Sequence, residues 1–365
     1  MSLKGSVFQK LDDAVQSADP TTVEGVQILA MAASAVKNLN EGTGVEEDVY
    51  KLGTPGEIGF GVATCRPENL PSDMLGFLGH DNILSSNYGK YRDSYGSVFY
   101  YVPKHYFKWE GNNPIFSDQP RTGYVLERSF INAGKEDPGV FIAAFAGSNE
   151  NGVMVYKQFR APLSTASVHN PISALNTAPA NNIGGFFKAV KSAGSAYYPT
   201  TNFEFEMLYR LSKAHGSAGG SRIACAYNDI APFFPKGNLA NALRDVNDTS
   251  VTFTPSGYLN CALTGSGTPF AKTTHNGQKC GIADLTGNMW NFASGFIRTT
   301  AAGFLVLKES VDVTSIMDDS SSGGAYDVSL YDVVDLSAIV FDNSGWTYKG
   351  NGSNQVMEMS TDRSS

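Results

Sequence analysis

The chain has little cysteine and none of it is paired in a motif. Cys65, Cys225, Cys261 and Cys280 stand far apart with no CxxC among them, which excludes a zinc knuckle of the usual spacing. Cys261 and Cys280 could pair, but free buried thiols are the expected state in a chain without an export signal. Long apolar runs are also missing: nothing approaches the roughly 18 consecutive apolar residues of a membrane span. The opening stretch, MSLKGSVFQKLDDAVQSADP, carries acids where a secretory signal needs an apolar core, so no secretory routing is expected. The sequons at Asn247 and Asn351 then carry no weight.

Charge is sparse as well. Asp, Glu, Lys and Arg make up 17% of the residues, below the usual quarter. The net charge is -8 and there is no basic run, so a nucleic-acid partner is not expected. The five histidines (80, 105, 169, 215 and 275) are isolated. There is no HExxH, no GxSxG, no phosphate loop and no GxGxxG after a strand, which removes the common local signatures of metalloprotease, hydrolase and nucleotide chemistry.

What is present is glycine, at 38 residues, and aromatic side chains, at 12%. With 365 residues this suits two or three compact, loop-rich, β-containing domains. The pattern predicts an N-terminal helical segment over 1–44. Val7, Phe8, Leu11 and Val15 recur at helical spacing over 6–17, and Thr21 with Glu24 makes a capping box for a second helix over 22–38. This pair is too small to bury a core by itself. It is either a collar or, the preferred reading, an oligomerisation segment. Residues 45–95 read as an irregular linker with one or two short strands.

From 96 to 365 the texture is that of one domain with a long C-terminal insertion. GSVFYYVPKHYFKWEG reads as a strand broken at Pro103 and resumed. PGVFIAAFAGS (138–148) and GVMVYKQF (152–159) read as a hairpin. Residues 181–194 predict a helix with Ile183, Phe186, Phe187 and Val190 on one face. A second capping box, Thr201 and Glu204, starts another helix with Phe205, Leu208, Tyr209 and Leu211 as its buried stripe. Lys213 and His215 then fall near its end. GFLVLKESVDV reads as a strand.

Two loops hold candidate binding groups. Asp245 and Asp248 in RDVNDTS could share a structural calcium with backbone carbonyls, although such loop pairs are usually just solvated; no other cofactor is expected. NSGWTYKGNGSNQ (343–355) offers Trp346, Tyr348, Asn351 and Asn354. That composition suits an adaptable binding surface, and equally an ordinary polar loop. The segment CGIADLTGNMWNFASGF is different in kind. Gly287 permits a tight turn, Asn288 can hold neighbouring backbone groups, and Trp290 and Phe292 alternate into a core. Nothing in it supplies a nucleophile or a base.

PTTNFEFEMLYRLSKAHG followed by NGQKCGIADLTGNMWNF resembles the paired signature of the formylglycine-generating-enzyme type of C-type-lectin fold. Thr201, Glu204, Phe205, Glu206 and Arg210 fall on that family's helix motif. Gly281, Asp284, Gly287, Asn288 and Trp290 fall on its later G-N-V-W-E-W motif. The resemblance covers about 98–297 and implies an α+β domain of the lectin type. Catalytic members use a cysteine pair beyond the second motif to hold copper. Here no cysteine follows Cys280, and Trp-Glu-Trp has become Trp290-Asn291-Phe292. A closing G-G-S-W strand has no counterpart up to residue 365.

The region from Tyr100 to Ser148 looks more like the non-catalytic users of the fold. These are phage and prophage tail proteins and ligand-binding variable proteins diversified by retroelements. The resemblance therefore implies no enzyme. It implies a receptor-binding protein of a virion tail or of the surface of a prophage-bearing host, with a host-cell surface protein or glycan as partner. A homo-oligomer is expected, most simply a trimer, and no membrane insertion. The alternative is an oxidase of the formylglycine-generating type.

Overall fold

The computed structural model describes residues 48–167, 170–219, 225–226, 263–266, 273–285, 293–299, 303–316 and 327–333. The chain divides into two units, Met1–Tyr50 and Lys51–Ser365. The helices expected over 6–17 and 22–38 lie outside the described residues. So do Asp245, Asp248, Gly287, Asn288, Trp290, Trp346, Tyr348, Asn351 and Asn354. No helix among the described residues is long and apolar enough to cross a membrane.

The larger unit is an α+β assembly of several small antiparallel sheets and, among the described residues, two α-helices. In chain order the first strands are β1 (Leu75–Gly76), β2 (Lys90–Arg92), β3 (Val98–Pro103), β4 (Tyr106–Glu110), β5 (Asn113–Ser117) and β6 (Val125–Leu126). They are followed by β7 (Ile131–Asn132), β8 (Lys135–Glu136), β9 (Gly139–Ala143), β10 (Ser148–Glu150) and β11 (Val153–Val155). Helices α1 (Ile183–Ser192) and α2 (Asn202–Gly219) come next, then β12 (Phe296–Thr299), β13 (Gly303–Leu307) and β14 (Tyr331–Val333).

The main sheet has the order β1-β2-β3-β9, with Tyr100 opposite both Lys90 and Ile142. All six residues of β3 are buried, so this strand is covered on both faces rather than alternating. Pro103 closes it: its residue carries no N–H for the ladder, and β4 resumes three residues later in a separate sheet, β5-β4-β6. The expected hairpin of 138–148 with 152–159 does not form. β9 pairs with β3, and β11 pairs with β10 through a turn at Asn151 and Gly152. The apolar run of β9 is thus spent on a long-range partner, which the next strand in sequence cannot reveal.

The segment 51–95 supplies two short strands, as its texture suggested, but it does not behave as a linker. Leu52, Phe60, Tyr88 and Tyr91 are at most 1% exposed. Tyr91 sits in one core cluster with Phe99, Tyr101, Met154 and Ile172. A second cluster joins Phe187 and Phe203 to Leu305, Leu307 and Tyr331.

Helix α2 starts as its sequence predicts. The Glu204 N–H donates to Thr201 Oγ1 at 3.3 Å, and the Thr201 N–H donates back to Glu204 Oε2 at 2.6 Å. Two N–H groups that the helix itself cannot satisfy are paired reciprocally. The buried stripe is Phe203, Met207, Leu208 and Leu211. Phe205 and Tyr209 are only half-buried. With Lys213 they repeat every four residues along the outward edge, roughly 200° from the buried Phe203 and Met207 at 100° per residue. The helix also runs on to Gly219, so His215 is a full turn inside it. In α1, Phe187 and Val190 are buried, whereas Ile183 is 41% exposed.

Candidate functional site

The start of the first motif meets the chain just past the second at Ser294. Thr201 forms a parallel bridge with Ser294, the Asn202 N–H donates to the Ser294 carbonyl at 2.8 Å, and the Ser294 N–H donates to the Thr200 carbonyl at 3.0 Å. The Ser294 hydroxyl donates to the Pro199 carbonyl at 2.9 Å. The start of α2 and the chain just past Trp290 are therefore one structural unit. Asp284 is at φ +63° and accepts from the Gly265 N–H at 2.9 Å. Gly281 is required by contact rather than by its φ: a Cβ there would lie 2.4 Å from Asn276 Oδ1. The Asn276 amide spans Phe60 and Cys280 by donating to both carbonyls at 2.9 Å.

Glu204 does more than cap. The hydroxyl of half-buried Tyr198 donates to Glu204 Oε1 at 2.6 Å. Burial raises the Glu204 carboxyl pKa, and these donors hold it partly back. Arg210 points the other way into the interior. Its Nε donates to Glu127 Oε1 at 2.8 Å and its Nη2 to Glu127 Oε2 at 2.5 Å. The guanidinium also lies 4.3 Å from the Phe107 ring centroid. Glu206, 3.5 Å from Arg210 Nη1, accepts from Asn202 Nδ2 at 2.8 Å. Burial nevertheless pushes Glu206 up to about 8. Of the expected motif residues, then, Thr201 and Glu204 are engaged in capping and Arg210 in a buried ion pair. Sequence reasoning missed Glu127, whose signal was an acid set in the apolar stretch GYVLERSF.

The described histidines are core or half-buried residues. His275 donates from Nε2 to the Gly61 carbonyl at 3.1 Å and accepts at Nδ1 from the Ile282 N–H. His215 accepts from the Gly56 N–H and stacks on Phe60 with centroids 5.1 Å apart. Burial draws His275 down to about 3 and His215 to about 4, so both are neutral at pH 7. His105 donates from Nδ1 to the Pro103 carbonyl, leaving a buried Nε2 without a partner, 4.0 Å from Glu127 Oε1. Cys65, Cys225 and Cys280 are buried free thiols. Burial pushes Cys65 up to about 12 and Cys280 to about 11, far from the thiolate that a nucleophile or metal ligand needs. Among the described residues, no group of three or more His, Cys, Asp or Glu side chains stands together as a metal site.

A cavity of about 920 Å³ has Thr201, Glu204 and Asp284 among its lining residues. Its lining includes the apolar Phe141, Met154, Leu163 and Phe186 and the polar Asp137 and Tyr198. Volumes on the order of 300–1,000 Å³ with an apolar lining and a few placed polar groups are typical of small-ligand sites. No family model matches this sequence, and no curated protein matches it.

Proposed function

We propose that the chain is a ligand-binding protein without catalytic activity, in which a lectin-type domain is the rigid scaffold. In this reading the binding surface is carried by the C-terminal residues that include Trp346, Tyr348, Asn351 and Asn354. The setting is a phage or prophage tail and the partner a host-cell surface protein or glycan. One observation supports it most. The motif residues Thr201, Glu204 and Arg210 are spent on capping and on a buried ion pair, which is what a scaffold asks of them. Function would then live in loops grafted on that frame. Cys65 and Cys280 do not favour the oxidase reading, because burial holds both protonated.

The decisive experiment substitutes Trp346 and Tyr348 together. Binding to host cells should fall while the melting temperature stays constant. Unchanged binding would move the ligand surface elsewhere, and stoichiometric copper or iron in the purified protein would restore the oxidase reading. Light scattering on the full chain and on a variant lacking 1–44 tests the oligomer, expected to be a trimer held by the N-terminal helices.

A further inference from the structure

The cavity beside α2 has a charge pattern of its own. Asp73, Asp137, Glu204 and Asp284 line it against a single guanidinium, Arg128, and no lysine is among the described lining residues. Four of these five charges are accounted for or peripheral. Glu204 accepts from Thr201 and Tyr198, and Asp284 accepts from Gly265. Asp73 is exposed. Arg128 spends Nη1 on the Ile131 carbonyl and Nη2 on the Leu307 carbonyl, and its guanidinium covers Phe203 at 4.5 Å.

Asp137 is the exception. Its backbone N–H donates to the Phe130 carbonyl, but its half-buried carboxylate accepts no hydrogen bond and forms no ion pair among the described residues. Burial is the main cause of its raised pKa. Asp312 acts on it through its charge, and Asp137 in turn acts on Tyr198, whose hydroxyl is already given to Glu204. A carboxylate so placed favours whatever brings a positive charge. The rest of the cavity, with Phe141, Met154, Leu163 and Phe186, favours an apolar body.

We propose that this cavity binds a small organic ammonium ion, with an apolar body against Phe141, Met154 and Phe186 and its protonated amine at Asp137. The assignment goes beyond the C-terminal binding surface proposed above and does not depend on it. Binding joins two ordinary terms: apolar area removed from water and one charge-assisted hydrogen bond to a carboxylate.

The test is calorimetry on the full chain with 2-phenylethylamine, 2-phenylethanol and phenylacetate, three probes of one shape and different charge. The amine should bind at least about tenfold more tightly than the alcohol, and the acid should not bind. Asp137→Asn should abolish the preference for amine over alcohol without lowering the melting temperature, since it removes an uncompensated charge. Asp137→Glu should retain the preference. Lowering the pH through the raised Asp137 titration should weaken the amine alone. Equal affinities for amine and alcohol, no binding of any of the three, or an Asp137→Asn variant that still prefers the amine would each overturn the proposal.

Discussion

Arg210 and Glu127 close a two-point ion pair through the interior of the domain. The nitrogen–oxygen distances are 2.8 and 2.5 Å, and the side chains are 3% and 0% exposed. The pair joins α2 to the chain just before Arg128, and Glu127 Oε1 also faces the bare Nε2 of His105 at 4.0 Å. Among the described residues Glu127 thus has one cationic partner, and its side chain is fully buried. The Glu127 carboxylate depends on Arg210 for its place in the fold.

Removing one side of this pair should cost far more than removing both. Arg210→Met leaves a buried carboxylate facing a second acid, Glu206, and should destabilise by about 3–5 kcal/mol. Glu127→Leu combined with Arg210→Met should recover most of that loss. Urea unfolding of the two single variants and the double variant measures it. A double variant no more stable than Arg210→Met alone would show that the pair is not the determinant.

Stability should peak between about pH 6 and 7 and fall on both sides. On the acid side, His275 and His215 titrate near 3 and 4 in the fold against an ordinary 6.5. The unfolded chain takes up protons first, so stability is lost as the pH falls below about 6.5. On the alkaline side, Glu206 titrates near 8 in the fold against an ordinary 4.5. The fold keeps a proton that the unfolded chain releases from about pH 4.5, so this contribution is lost up to about 8 and dominates once the histidine term has levelled off above about 6.5. Glu206→Gln should flatten the alkaline limb and steepen the acid limb between about pH 4.5 and 6.5, where Glu206 opposes the two histidines. Thermal melts from pH 4 to 9 would show this; an unchanged alkaline limb in Glu206→Gln would refute the assignment.

Local chemistry was legible in the sequence and long-range pairing was not. The Thr201–Glu204 box declares itself by a three-residue spacing, and Pro103 declares the break between β3 and β4, because both act within a few residues. Arg210 gives no sign of Glu127, which lies 83 positions away. The run Gly139–Ala143 looks equally ready to pair with 152–159 as with β3. Phe203 and Phe205 are both aromatic near the helix start, and only the angular position of Met207 and Leu211 decides which is buried. Tyr198 and Asp137 have no motif at all. They matter because the fold brings both into the lining of one cavity.

Gly185 should resist the substitution that usually stabilises a helix. Gly to Ala in a helix interior gains about 1 kcal/mol on propensity. In α1, however, the Gly185 N–H donates to the Asn182 cap at 2.8 Å, and a Cβ at this residue would fall 1.7 Å from the Ala180 carbonyl oxygen. Backbone cannot yield as a long side chain can. Gly185→Ala should therefore lower stability by about 1–3 kcal/mol, the usual cost of overpacking. A raised melting temperature would mean that the 180–185 turn has room that the contact denies.

The thiols offer the sharpest separation of the scaffold from the oxidase. Only a thiolate attacks a disulfide reagent or binds a soft metal. With Cys65 near 12 and Cys280 near 11, the thiolate at pH 8 is about one part in ten thousand and one part in a thousand. Cys225, at 0% exposure, shares Ser212 contacts at 3.3 Å and is equally enclosed. In native protein, Ellman's reagent should thus label none of these three within minutes, leaving at most Cys261 to react. In denaturant all four should react, and peptide mass spectrometry after alkylation identifies which did so first. Rapid native labelling of Cys280 would mean an accessible, ionisable thiol beside the second motif. That is the one chemical feature a scaffold does not need and a cysteine-dependent oxidase does.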